Sequence, residues 1–404
     1  MKIEKKYLNR RQFFSTGLSG IAGAGLWNII NQTTPGKILY RELGRTGIKL
    51  PIVNMGVMNA FNPALIKRSY ELGIRYFDTA AYYQRGHNEE MVGNVIQELG
   101  VRDKVILGTK AYIPHEQRNI SSEEKKNFFI KTAEESLKRL KIDTIDIFFV
   151  HNVMDISYLN DPGILEAMQL LKKQGKIRFA GFSIHSNMTE CIKDAIHSKF
   201  YDVIETAFNY AMSDDKELLL TLDSASKQGI GLIAMKTQCT QYWYRDYVPD
   251  VKQHYYKGKI LHSAVLKWVL QHDFITTAIP GFTTFEQIDA DFSVVTDLSL
   301  TSEERMFLED RKVKTSLAYC VQCRTCISTC PKNVDIPALM RTHMYAQCYG
   351  NFYQARDAIA EMPENKSLMA CDVCTTCRAV CAHQIDIPNR IKELKTIFNG
   401  KVFP

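Results

Sequence analysis

Eight short apolar runs, at residues 52–57, 75–77, 105–109, 145–150, 177–182, 203–206, 231–235 and 276–279, alternate with amphipathic stretches. Short apolar runs bounded by polar segments suit strands buried on both faces. The stretches at 63–72, 89–99, 123–140, 163–173 and 213–228 carry apolar residues at helical spacing. Parallel neighbours require such crossovers. Eight strand–helix units closing within about 250 residues predict an α/β fold, a TIM (β/α)8 barrel spanning residues 37–300. A doubly wound open sheet is the alternative, but no G-x-G-x-x-G follows the first run. Residues 38–43 and 48–50, split by Gly44 and Gly47, read as a hairpin capping the barrel.

The last part of the chain obeys a different rule. Cys320, Cys323, Cys326 and Cys330 follow C-x2-C-x2-C-x3-C, and Cys371, Cys374, Cys377 and Cys381 repeat it 51 residues later. That rhythm is the ligand pattern of [4Fe–4S] clusters, in which the fourth thiolate typically serves the other cluster. Zinc would favour paired C-x2-C, and the tight spacing opposes disulfides. Each motif is followed by a near-copy, Val334-Asp335-Ile336-Pro337 and Ile385-Asp386-Ile387-Pro388. Asp and Pro suit a helix start, so residues 317–404 read as a C-terminal α-helical two-cluster ferredoxin-like domain with two related halves. Residues 301–316 read as a helical linker. Cys191, Cys239 and Cys348 read as plain buried residues. His383 reads as a loop histidine or a tuner of a cluster. The aromatic cluster at 242–247 lines a substrate mouth or packs a loop.

Residues 1–36 carry Asn9-Arg10-Arg11-Gln12-Phe13-Phe14 before a mildly apolar, glycine-rich stretch, a twin-arginine-type signal. The expectation is export by the twin-arginine machinery to the periplasm, with clusters assembled first; a cytoplasmic protein with a basic tail is the alternative. The net charge of +7 is too small and too scattered for nucleic-acid binding.

Four polar residues fall at or beyond predicted strand ends: Asp78, Tyr83, Lys110 and His151. In a (β/α)8 barrel such residues converge on one mouth. A phenol is a poor acid or base near neutrality, and a neighbouring ammonium lowers its pKa. Lys110 is therefore expected to activate Tyr83, with Asp78 holding Lys110 and His151 orienting a carbonyl oxygen.

With Phe77-Asp78-Thr79-Ala80-Ala81-Tyr82-Tyr83, Gly181-Phe182-Ser183 and Ile279-Pro280-Gly281, the segment from Lys37 to about Leu300 resembles the aldo/keto reductase family. The resemblance implies that Asp78, Tyr83, Lys110 and His151 are the catalytic tetrad. It also implies an NADP or NAD cofactor, contacted by Ser183, Asn187, Glu205, Lys236, Gly281, Thr283, Gln287 and Asp291. The chain departs from the family pattern at Ile184, where Asn187 or His185 would replace a lost amide. It departs again at Glu205, where glutamine is frequent, and at Thr283 and Asp291, where a phosphate-gripping arginine and an asparagine are usual. The implied activity is hydride transfer between a nicotinamide and a small carbonyl or alcohol substrate, with Tyr83 as general acid/base. Two [4Fe–4S] clusters would exchange electrons with a redox partner protein. A hydride carries two electrons and each cluster one, so the alternative is an electron-transfer subunit whose barrel is a docking scaffold.

Overall fold

The computed structural model describes residues 37–114, 117–238, 261–310, 313, 320, 322–383 and 385–398. The described chain begins with an antiparallel hairpin, β1 (Tyr40–Glu42) and β2 (Lys49–Pro51). Gly44 sits at its turn with φ +52°, and a Cβ there would come within 2.3 Å of the Gly231 backbone nitrogen. That contact lets Arg45 N donate to Gly229 O at 2.7 Å, seating the hairpin under the barrel. Leu43, Ile48 and Leu50 then bury against Tyr76, Ile147, Phe149, Val203 and Ile233, at roughly 1.5–3 kcal/mol each.

Eight parallel strands follow: β3 (Met55–Gly56), β4 (Tyr76–Asp78), β5 (Ile106–Ala111), β6 (Ile145–Val153), β7 (Ile177–Ile184), β8 (Val203–Ala207), β9 (Gly231–Met235) and β10 (Thr277–Ala278). All eight predicted runs are present, each strand pairing with the next. Bridges between Val53 and Ala278 and between Gly56 and Gly281 bring the last strand to the first, which excludes the open sheet.

The predicted helices appear as α1 (Pro63–Leu72), α2 (His87–Leu99), α3 (Ser122–Leu140), α5 (Pro162–Lys173) and α7 (Lys216–Lys227), with a single turn α4 (Ile156–Leu159). Each of the five longer helices begins where a polar or glycine residue precedes the apolar face. Ser121 and Glu124 form a capping box at α3. Three helices had no predicted counterpart: α6 (Met188–Ser198), α8 (His262–Leu270) and α9 (Phe285–Phe292). Alternation along the strands divides the core. Tyr76, Ile147 and Phe149 fill the interior, while Phe77, Leu107 and Phe148 face the helices.

The linker region contains α10 (Ser302–Glu309), whose Phe307 and Leu308, with Val313, bury against Ala264 and Val265 of α8. In the C-terminal region, α11 (Ile336–His343), α12 (Phe352–Ala360) and α13 (Ile387–Phe398) surround a second core of Val334, Leu339, Met340, Ile391 and Leu394. The two repeats start alike. Asp335 accepts from Ala338 N at 3.3 Å and Asp386 from Asn389 N at 3.0 Å, so the predicted Asp–Pro helix starts are met. A π-helical turn, Met344–Cys348, continues α11 toward the barrel. Met344 and Cys348 join the barrel core, and Asn351 Nδ2 donates to Asn59 Oδ1 at 3.0 Å. Cys191 and Cys348 are buried as expected. Cys239, the 242–247 cluster and the twin-arginine segment lie outside the described residues. Among the described residues, no helix is long and apolar enough to cross a membrane.

Candidate active site and cysteine module

Strand parity points Tyr76 and Asp78 of β4 inward. Gly108 on β5 leaves space for the Tyr76 ring, since a Cβ there would stand 2.2 Å from its hydroxyl oxygen. That hydroxyl donates to Asp78 Oδ1 at 2.9 Å. Lys110, two residues beyond Gly108, is fully buried, and its ammonium donates to Asp78 Oδ2 and, at 2.9 Å, to Thr79 O. Glu205 on β8 adds a second carboxylate: its Oε2 lies 3.2 Å from Lys110 Nζ, an ion pair outside hydrogen-bond geometry.

His151 reaches the mouth through an irregularity in β6. The β6–β7 register shifts between Val150 and Val153, and Asn152 takes φ +56°. Ser183 Oγ accepts from Asn152 N at 2.9 Å and fixes this kink. Tyr83 begins a tight turn in which Gln84 and Arg85 both have positive φ. The turn is held by Gln84 Nε2 donating to Ala60 O at 3.2 Å and by Thr79 Oγ1 donating to Asn88 Oδ1 at 2.7 Å. The Tyr83 and His151 rings meet edge-on, centroids 5.7 Å apart, and Lys110 Nζ lies 5.7 Å from the Tyr83 ring centre. The four tetrad candidates are thus brought together.

The electrostatics differ from the expectation at one point. Tyr83 is held well above the usual phenol range, first by burial, then by the negative charges of Asp78 and Glu205. The predicted lowering by Lys110 is not met, because two carboxylates already claim that ammonium. Burial pulls the Lys110 pKa down, but Asp78 and Glu205 outweigh it and the net shift is upward. Burial and Asp78 push Glu205 up to about 8, against the opposing pull of Lys110. His151 is driven well below its ordinary value by burial and then by Lys110, Arg341, Lys236 and Arg118. Its imidazole is therefore neutral near pH 7, with Nδ1 lacking a hydrogen-bond partner among the described residues.

A cavity of about 290 Å³ opens beside the tetrad. Of the sequence-predicted cofactor residues, it is lined by Glu205, Lys236, Gly281, Gln287 and Asp291. Three others sit elsewhere. Ser183 braces Asn152, Asn187 Nδ2 donates to Met154 O at 2.8 Å, and Thr283 N donates to the Gln287 carbonyl at 2.7 Å. His185, not Asn187, lines the cavity. Asp291 accepts from Gln238 Nε2 at 2.8 Å, and burial pushes its carboxyl up to about 7.

Sequence reasoning about the barrel could not supply Tyr345 and Tyr349. They reach the same cavity from the π-helical turn, with Lys236 Nζ 5.4 and 5.7 Å from their ring centres. The only sequence trace is aromatic spacing on a helix beyond the first cysteine motif.

In the cysteine module, Cys326 and Cys371 are buried and Cys323 is exposed. The two motifs interleave. Burial pushes the Cys320 thiol up to about 12, with Cys326 and Cys381 adding to it. Burial pushes Cys371 up to about 11, and Cys330, Cys377 and Cys374 act on it as well. Polar hydrogens also reach the sulfurs: His383 N donates to Cys381 Sγ at 3.3 Å and Thr325 Oγ1 to Cys323 Sγ at 3.4 Å. Among the described residues, no three His, Cys, Asp or Glu side chains stand close enough to hold a single metal ion.

The model of the aldo/keto reductase family matches residues 56–241. L-galactose dehydrogenase of Arabidopsis thaliana is 27% identical over 65% of this chain and 89% of its own length. L-glyceraldehyde 3-phosphate reductase of Escherichia coli K12 is 22% identical over 68% of this chain and 93% of its own. Among solved structures, the holo form of an aldo-keto reductase from Bacillus halodurans superposes with a TM-score of 0.54 at 23% identity, covering 70% of this chain and 97% of its own. An aldo/keto reductase from Klebsiella pneumoniae in complex with NADP and acetate gives 0.52 at 23% identity, over 67% and 95%.

Proposed function

We propose that the barrel of this chain, whose residues 56–241 match the model of the aldo/keto reductase family of oxidoreductases, transfers hydride between a nicotinamide cofactor and a carbonyl or alcohol, with Tyr83 as general acid/base. The observation that carries the reading is the convergence of Tyr83, His151, Lys110 and Asp78 beside one cavity.

A bound nicotinamide supplies or accepts the hydride. Neutral His151 orients the carbonyl oxygen, and Tyr83 protonates it. Asp78 and Glu205 keep the Lys110 ammonium charged in a buried site. Lys236, Gly281 and Gln287, which line the cavity, would contact the cofactor. Among the described lining residues, Asp78, Glu205, Glu286 and Asp291 are acids and Lys236 is the one lysine or arginine, a balance that favours NAD(H) over the extra phosphate of NADP(H).

The eight motif cysteines would ligate two [4Fe–4S] clusters, which supply one-electron transfer to a redox partner protein. Supporting this is the crossing of the motifs: Cys381 acts on Cys320 and Cys326, and Cys330 on Cys371. A cubane also spaces its thiolates more widely than a single ion does, so it does not require the tight trio that a lone metal would. The twin-arginine motif at Arg10 and Arg11 favours export of the loaded protein to the periplasm.

The test uses full-length, anaerobically purified protein, with NADH or NADPH deuterated at the transferable C4 position and a panel of short aldehydes and oxo acids. Deuterium should appear at the carbinol carbon of the product. No transfer from either cofactor to any member of the panel would refute the reductase reading.

A further inference from the structure

A second, smaller cavity shares Tyr83, His151, His185 and Tyr345 with the first, and the C-terminal region lines it with Arg341, Gln354 and Glu361. Arg341 of α11 reaches into it, facing Tyr83, Tyr112, His151 and Asn152, while Tyr345 lines both this cavity and the larger one. Among the described residues, the Arg341 guanidinium makes no hydrogen bond or ion pair, while its backbone carbonyl accepts from Met344 N. Of the acids, Asp335 at the start of the same helix raises the Arg341 pKa most, and that carboxylate caps Ala338 N and stands 3.8 Å from Arg324. Glu361 lines the same cavity, but it acts on Tyr82 and Tyr112.

A second guanidinium lies behind the same strand end. Arg118 donates to Asn152 O at 2.9 Å and Ile113 O at 3.0 Å, leaving a buried Nη1 without a partner. An enclosed guanidinium without a carboxylate is costly unless something else supplies the negative charge.

We propose that Arg341 binds the carboxylate of the substrate, so that the appended C-terminal region completes a subsite for short 2-oxo or 2-hydroxy acids. The inference rests on the reductase reading and names the substrate class of that site. A guanidinium matches a carboxylate with two parallel hydrogen bonds. The space in the small cavity is about 30 Å³, far less than in the cavity of about 290 Å³ beside it, so it admits one small group of a substrate rather than the whole. Because Arg341, Tyr83 and His151 line one such small space, the carboxylate and the reacting carbonyl are close neighbours in the substrate. The positive influence of Arg341 and Arg118 on His151 is consistent with an anion bound at this place. In the reducing direction, the 2-oxo carbon accepts hydride from the reduced nicotinamide. The carbonyl electron pair moves to oxygen, and that oxygen takes the Tyr83 proton. The products are a 2-hydroxy acid and oxidised nicotinamide; solvent reprotonates Tyr83.

The probe is oxamate, an unreactive isostere of a short 2-oxo acid, titrated by protein fluorescence into full-length, iron-loaded protein with and without NADH. Acetamide, which lacks the carboxylate, is the control. Oxamate should saturate the wild type and acetamide should not. R341Q should weaken oxamate at least about 30-fold and R341K about fivefold, because lysine keeps the charge and loses the fork. Iron content and NADH affinity should match the wild type in both variants. No oxamate binding to the wild type up to about 10 mM, a Kd worse than roughly −2.7 kcal/mol of affinity, overturns the proposal. So does unchanged binding by R341Q, or equal binding of acetamide. If R341Q does not fold, R341K and the acetamide comparison decide. Protein that binds NADH but not oxamate loses only this subsite; protein that binds oxamate but not NADH loses the reductase reading.

Discussion

In the barrel mouth, Lys110 is held by Asp78, Thr79 O and Glu205, and Asp78 by Tyr76, all from within the polypeptide. In the cysteine module, the thiols act on one another and feel Arg390 and Lys395, and N–H groups such as His383 N reach a sulfur. The mouth holds Lys110 and Asp78 by contacts from within the chain, while His151 Nδ1, Glu205 Oε2 and Arg118 Nη1 stay without hydrogen-bond partners among the described residues. The cysteine module is one whose thiols the proposed clusters would satisfy. A buried polar cluster keeps its geometry where its members find partners, as Lys110 and Asp78 do. The two regions should therefore fail differently when perturbed.

The largest effect should come from Y83F, which removes the proton donor and leaves the network of Lys110 intact. Turnover should fall by about 10²–10⁴-fold with cofactor affinity unchanged. A loss below tenfold in steady-state assays would remove Tyr83 from the acid/base role. Next is the metal. C381S should cost about half the iron of the reconstituted protein, as should C330S, while the nicotinamide affinity of the barrel persists. Fewer than about six irons per wild-type chain after anaerobic reconstitution would refute two cubanes.

A smaller effect tests the carboxylate that sets this mouth apart. E205Q removes a negative charge that raises Tyr83, so the Tyr83 pKa should fall. The basic limb governing alcohol oxidation should move to lower pH by about one unit in a kcat/KM profile. An upward shift, or none, would show that Glu205 does not act on Tyr83.

The smallest concerns Asp291. Its folded carboxyl sits at about 7, above its ordinary 3.8, so folding favours the protonated form. The stabilisation this gives is fully present below pH 3.8 and is lost as pH rises through 7. D291N mimics the protonated state. It should raise the Tm of cofactor-free protein by about 2–4 °C at pH 8 and less at pH 5. Equal gains at both values would contradict the assignment.

The same contrast explains what the sequence made legible. Strands β6 and β9 were readable because fully buried parallel strands are nearly continuous apolar runs, and Asp78, Lys110 and His151 stand out as polar residues closing such runs. Helices α8 and α9, of 9 and 8 residues, are too short for periodicity to separate them from buried strands. Glu205 could be aligned but its effect could not be read. Its pairing with Lys110 joins β8 to β5 across the barrel interior, strands that are not neighbours in the sheet. Ser183 and Asn187 illustrate the reverse. Their positions suggested a cofactor, yet one braces the Asn152 kink and the other the Met154 carbonyl. Arg341, Tyr345 and Tyr349 were illegible as site residues because their role depends on where the C-terminal region docks, which no local pattern encodes.

The claim at the centre of this account is that the barrel mouth holds a nicotinamide cofactor. Titration of the anaerobically purified, full-length protein with NADH and NADPH, followed by quenching of protein fluorescence, tests it without knowledge of the substrate. The account predicts saturable binding, tighter for NADH, with Lys236→Ala weakening it. No binding of either cofactor would contradict the account and leave the barrel as a scaffold for the cysteine module.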